Sequence, residues 1–132
     1  IHQQFGDNVH INVTSYNRIV LLTGEAPNET IKIDIERLIM GVDNVRKIFN
    51  EITVGPHTTL ASRSNDTLIT SKVKARFLAE RKFQINHVKI VTENEVVYLL
   101  GVVSHQEGEN AAQIASSTSG VKKVVKVFEY NR

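Results

Sequence analysis

The chain has 132 residues, of which 41% are apolar and 23% charged, and carries a formal net charge of +2. It has no cysteine, which excludes disulfides and thiol chemistry, and no apolar run is long enough for a bilayer-spanning helix. The mild excess of base, with an isoelectric point near 9.0, suits an anionic partner without specifying one.

The first elements follow from hydropathy patterning. His10 to Ser15 alternates weakly, Tyr16-Asn17-Arg18 forms a turn, and Ile19 to Thr23 is a strongly apolar strand that Gly24 should end. Pro27 stands close to a helix start, where its missing N–H costs little. From Asn28 to Met40 the apolar residues Ile31, Ile35, Leu38 and Ile39 recur at helical spacing, and Gly41 is the expected stop. Asn44 to Val54 then reads as a strand. Gly55 to Arg63, containing Pro56, reads as a short polar linker.

A second helix is expected from Asn65 to Lys82, capped by Asn65 or Asp66, with Ser64 or Thr67 as alternatives. Val88 to Thr92 and Val96 to Val103 form a hairpin around Glu93-Asn94-Glu95. A third helix runs from Glu107 to Thr118, with Ala111, Ile114 and Ala115 on one side, and Gly120 stops it. Its scarcity of bulky residues predicts a close, shallow fit on the sheet. Val121 to Tyr130 is the last strand.

The two halves repeat one another. Ile11 to Gly24 matches Val88 to Gly101, with the two glycines 77 positions apart, and Met40 to Phe49 matches Ser119 to Phe128 at an offset of 79. That match places two extra residues in the second copy. A repeat of this length means two small domains rather than one large core. The expected boundaries are 1–54, a linker 55–63, and 64–132. Shifted back by 77 positions, the helix that opens the second copy falls mostly before Ile1, so the first copy should lack most of its first helix, with Ile1 to Phe5 as the last turn. The chain starts at Ile1 rather than Met; the expectation is a processed fragment, with any targeting signal or lipid-attachment cysteine upstream.

The order helix–strand–strand–helix–strand resembles the BON domain. So do the glycine at the end of the second strand (Gly24, Gly101) and the Gly-Val-x-x-Val run opening the third (Gly41-Val42 with Val45, Gly120-Val121 with Val124). The helix opening Asn65-Asp66-Thr67-Leu68 adds to the likeness. The chain as a whole resembles the dual-BON outer-membrane lipoproteins: an α+β protein of two tandem BON domains, each a helix-strand-strand-helix-strand sandwich. The resemblance implies a non-catalytic periplasmic protein, anchored to the outer membrane by an N-terminal lipid not present in this chain. It also implies support of outer-membrane integrity, localisation at the cell division site, and binding of anionic phospholipid through the first helix of the second domain, with no cofactor. Where that family can carry a membrane-inserting Trp, this chain has Leu68.

The residues point to the same helix. At about 100° per residue, Ile69, Val73 and Phe77 form one stripe that must face the core. Leu68, Ala75, Leu78 and Ala79 fall on the far side or its flank, with both leucines roughly 140° from the stripe's centre. Lys72, Lys74, Arg81 and Lys82 border that second face, and Arg76 lies nearer the core. Apolar residues edged by cations suit the surface of an anionic membrane. The candidate lipid-binding set is therefore Leu68, Lys72, Lys74, Ala75, Arg76, Leu78 and Lys82. The alternative is that the leucines cover the other domain or its linker, with one leucine able to serve each role. Ile33 and Met40 point outward on the first copy's helix and are candidates for interdomain or protein-partner contact, so an envelope-protein adaptor is the second functional class.

Other chemistry finds little support. The five histidines, His2, His10, His57, His87 and His105, show no ligand spacing, so no metal is expected. Glu93 and Glu95 read as a solvated turn rather than an acid–base pair, and no nucleophile elbow occurs. Lys122, Lys123 and Lys126 read as an exposed edge or loop. Aromatics are only 6%, with no Gly-x-x-Gly clamp or aromatic pair of the RNA-binding kind, which argues against nucleic acid.

Overall fold

A computed structural model describes residues 10–55, 60–80 and 88–130. The chain divides into two compact units, Ile1–Thr59 and Leu60–Arg132. The expected last turn at Ile1 to Phe5 lies outside the described residues, as do Arg81 and Lys82.

The first unit contains β1 (His10–Tyr16), β2 (Ile19–Ala26), α1 (Glu29–Met40), β3 (Lys47–Asn50) and β4 (Thr53–Val54). β1 and β2 pair antiparallel through a two-residue turn, and both turn residues, Asn17 and Arg18, adopt positive φ. Turns of that kind match the twist of the strands they join. β3 and β4 lie parallel to β2 on its other side. Alternation puts Val20, Leu22 and Ala26 of β2 on the core side, with Ile35 of α1 and Ile52, and Ile11, Ile31, Ile39, Val45 and Ile48 close the rim. The Asn28 side chain caps α1 by accepting the Ile31 N–H at 2.9 Å.

Three details of this unit depart from the sequence reading. β2 continues through Gly24 to Ala26, because Gly24 has φ +117 and a Cβ there would lie 1.9 Å from the His10 carbonyl oxygen. The glycine thus permits close strand approach instead of ending the strand. The expected strand Asn44 to Val54 is interrupted after Asn50, whose side chain accepts the Ile52 N–H at 3.2 Å and donates to Lys32 O and Glu36 Oε1 of α1. Leu38, expected on the buried side of α1, is instead exposed.

The second unit contains α2 (Leu60–Glu80), β5 (Val88–Glu93), β6 (Val96–Val103), α3 (His105–Ser116) and β7 (Lys123–Tyr130). Its sheet runs β5-β6-β7, antiparallel then parallel, so β7 and its lysines do lie on an edge. Ile69, Val73 and Phe77 of α2 pack with Ala111, Ile114 and Ala115 of α3 over Val97, Leu99 and Val103 of β6. α3 is opened by a reciprocal box: Ser104 Oγ accepts the Glu107 N–H at 3.1 Å, and Glu107 Oε1 accepts the Ser104 N–H at 2.9 Å. Gly108 lets this helix sit tightly on β7, since a Cβ there would be 3.0 Å from the Tyr130 ring.

The strand registers also correct the internal repeat. Ile19 pairs with Lys47, and Val96 with Lys123, so the last strands correspond at an offset of 76 rather than 79. The two helix caps, Asn28 and Ser104, share that offset. The copies therefore differ by one residue in the strand-to-helix connection, where the first has Pro27. The structural counterpart of Gly120 (φ +91) is Asn44 (φ +70), and that of Phe128 is Ile52. Gly41, by contrast, has φ −78. The mistaken match arose because Val recurs every third residue here, so a slip of three preserves the apolar pattern.

Candidate functional site: the outward face of helix α2

α2 begins at Leu60, five residues earlier than expected, so Asn65 and Asp66 lie inside the helix and cannot cap it. Asp66 has a different task. It is 5% exposed, and its carboxylate accepts the N–H groups of Asn94 and Glu95 at 2.6 and 2.8 Å. These are the two turn residues of the β5–β6 hairpin, at φ +53 and +69. The helix is thereby fastened to the tip of its own sheet.

Arg76 fastens it a second time. One guanidinium nitrogen donates to Ile114 O at 2.9 Å, Ser117 Oγ at 2.9 Å and Thr118 Oγ1 at 3.2 Å. A cation is favourable at the C-terminus of α3, where carbonyls lack helical partners. A looser pair, 3.9 Å, links Arg76 to Glu80. Arg76 is thus engaged within its own unit more heavily than Lys72 or Lys74.

The face opposite Ile69, Val73 and Phe77 has a distinct composition. Leu68 is 53% exposed and Leu78 is 58% exposed. Ser64, Ser71, Ala75 and Ala79 are exposed around them, and no charged residue stands between the two leucines on this stripe. The leucines are ten residues apart, about 15 Å along the axis. Ser71 Oγ donates to Thr67 O, and Thr67 Oγ1 to Arg63 O, each at 3.1 Å. These hydroxyls therefore keep a partner when water is withdrawn. Lys74, exposed, stands at one edge of the stripe, and Lys72, half-buried, at the other, where Nζ donates to Ser119 Oγ at 3.2 Å. Lys82 falls outside the described residues.

Elsewhere, Ile33 is 47% and Met40 66% exposed on α1, one helical stripe apart from Ile35. Among the described residues no group of His, Asp and Glu could hold a metal ion, and His105 stacks on Tyr130 at 4.1 Å. Lys126 and Glu109 form an exposed ion pair at 2.8 Å. It holds the Glu109 carboxyl below its ordinary range, first by the hydrogen bond and then by charge, and raises the Lys126 ammonium for the same reasons.

The family model of the BON domain matches residues 1–56 and again 65–132. The chain belongs to the BON family. It carries two BON domains, as the repeat and the two α+β units require. It is 42% identical over 120 residues to the outer membrane lipoprotein DolP of Haemophilus influenzae, covering 91% of this chain and 62% of that protein. It is 36% identical over 127 residues to a 21 kDa hemolysin of Actinobacillus pleuropneumoniae, covering 96% and 66%. With the osmotically-inducible protein Y of Escherichia coli it shares 29% over 117 residues, covering 86% and 58%. The BON chain described here thus spans less than two thirds of each relative's length. No helix among the described residues is long and apolar enough to cross a membrane.

Proposed function

We propose that this tandem BON protein is a non-catalytic component of the bacterial envelope that rests on anionic phospholipid through the outward face of α2. The observation that carries the reading is the pair of half-exposed leucines, Leu68 and Leu78, on an uncharged stripe edged by Lys72 and Lys74. Burying the remaining surface of each leucine gives about 1–1.5 kcal/mol. Each lysine near an anionic surface adds about 1 kcal/mol, less at high salt. Together these give about 4–5 kcal/mol, an association constant of roughly 10³–10⁴ M⁻¹. Contact of that strength is reversible, comparable to a single acyl chain, and stable residence takes a second signal. A lipid anchor, of the kind the name of the DolP relative declares, would supply it in the whole protein. On this reading the site is the outer membrane facing the periplasm, and the helix gives the anchored domain its orientation and lipid preference in support of outer-membrane integrity.

Co-sedimentation with phosphatidylglycerol vesicles tests the reading. Replacing Leu68→Ser and Leu78→Ser together should weaken binding by at least about thirtyfold. Lys74→Glu should weaken it more at low salt than at high salt. Undiminished binding by the double leucine variant refutes the proposal.

A further inference from the structure

We propose that Lys72 and Ser119 together form a phosphate-oxygen site at the α3-side edge of this stripe, filled by the phosphodiester of a lipid headgroup. The inference rests on the membrane reading of α2 and assigns it a particular polar contact.

The argument is an account of hydroxyl protons. Ser117, Thr118 and Ser119 follow α3 in succession. Ser117 Oγ donates to Gln113 O at 2.9 Å, and Thr118 Oγ1 donates to Ile114 O at 2.7 Å. Both also accept from Arg76, and their hydroxyl protons are spent inside the unit. Ser119 differs: it is exposed, it accepts from Lys72 Nζ at 3.2 Å, and among the described residues its own proton has no acceptor. Lys72 has three N–H donors and uses one of them there. No carboxylate pairs with Lys72 among the described residues. An O–H and an ammonium therefore meet at one surface point with donors to spare and no internal anion.

Position selects the source of the anion. Lys72 lies on the turn between Leu68 and Ala75, roughly 40° round the helix from Leu68. A lipid whose chains meet Leu68, Ala75 and Ala79 would bring its phosphodiester level with Lys72 and Ser119. A phosphodiester oxygen can accept from both groups, and hydrogen bonds to charged acceptors are the strong ones.

The experiment compares Ser119→Ala, Lys72→Gln and their combination with the double leucine variant, on vesicles of phosphatidylglycerol in phosphatidylcholine. Ser119→Ala and Lys72→Gln should each weaken binding about three- to tenfold, and the combination should cost less than the product of the two. If Ser119→Ala binds like the parent while the leucine variant fails, the phosphate site is overturned and the helix reading stands. If the leucine variant binds like the parent but Ser119→Ala does not, the helix reading falls and the anion site remains. A parallel NMR titration with inorganic phosphate separates the sources. Little movement of the Ser119 and Gly120 amides is expected. Movement equal to that seen with vesicles at the same phosphate concentration would overturn the lipid assignment.

Discussion

Replacing Asp66→Ala should be among the most damaging single changes to the second unit, although it alters nothing on the proposed membrane face. The carboxylate is buried and accepts two backbone N–H groups, at 2.6 and 2.8 Å. A hydrogen bond to a charged group contributes about 1.5–3 kcal/mol. Asn94 and Glu95 are exposed on their outer side, so water can partly replace the lost acceptor. The expected cost is therefore near the low end, about 2–3 kcal/mol in all. A unit of this size has roughly 4–11 kcal/mol of stability, so its melting temperature should fall by about 10–20 °C. Asp66→Asn keeps one acceptor oxygen and should lose about half as much. The assay is urea denaturation followed by NMR, with signals from each unit read separately, together with amide exchange at Asn94 and Glu95. A loss below about 0.5 kcal/mol, with both amides as protected as before, would refute the claim that this carboxylate holds the hairpin tip.

Gly24→Ala should disrupt the first unit by about 3 kcal/mol or more, since the new Cβ would overlap the His10 carbonyl and the backbone is at φ +117. The amide spectrum of residues 10–55 should collapse while that of the second unit persists. Lys126→Gln should let the Glu109 carboxyl titrate back up toward its ordinary value, as read from its side-chain carbon shift. The sign follows from linkage: Glu109's depressed pKa gives a small stabilisation that is present above the ordinary carboxylate range and lost as pH falls through the depressed value. Lys126's raised pKa gives one that is present below the ordinary lysine range and lost as pH rises through the raised value. Because the pair is exposed, added salt should shrink both shifts.

The sequence made the family and both units legible because their signals are periodic. The apolar runs at Ile19 to Thr23 and Val96 to Val103 could be read as central strands, and Ile69, Val73 and Phe77 as a core stripe, from spacing alone. Signals without a period were harder. Gly24 could be seen, but nothing in its neighbours says whether a glycine ends a strand or admits a close backbone. Asp66 reads as a helix cap because the N–H donors it accepts from lie 28 and 29 residues away, across a hairpin that must form first. The slip of the third-strand match had a local cause, a Val repeat insensitive to a shift of three. The start of α3 does carry a local signal: Ser104 followed three residues later by Glu107 marks a reciprocal cap and places that start at His105.

The arrangement of α2 explains how one helix can support a fold and still offer a surface. Its structural duties are confined to one side. Ile69, Val73 and Phe77 supply burial, Asp66 holds the hairpin, and Arg76 holds the end of α3. On the other side, Leu68, Ser71, Ala75 and Leu78 are exposed, and among the described residues the one side-chain bond there is from Ser71 to Thr67 O of the same helix, so contact at this face leaves the anchoring side untouched. This separation also decides which cations inform on membrane contact. Reversing charge at Arg76 would remove three hydrogen bonds at the end of α3, so lost binding there would report on folding as much as on electrostatics. Lys74 stands clear of such bonds among the described residues, and its charge can be inverted with the fold left intact. A loss of vesicle binding in the Lys74 variant is therefore evidence about the surface, and the same loss in an Arg76 variant is not.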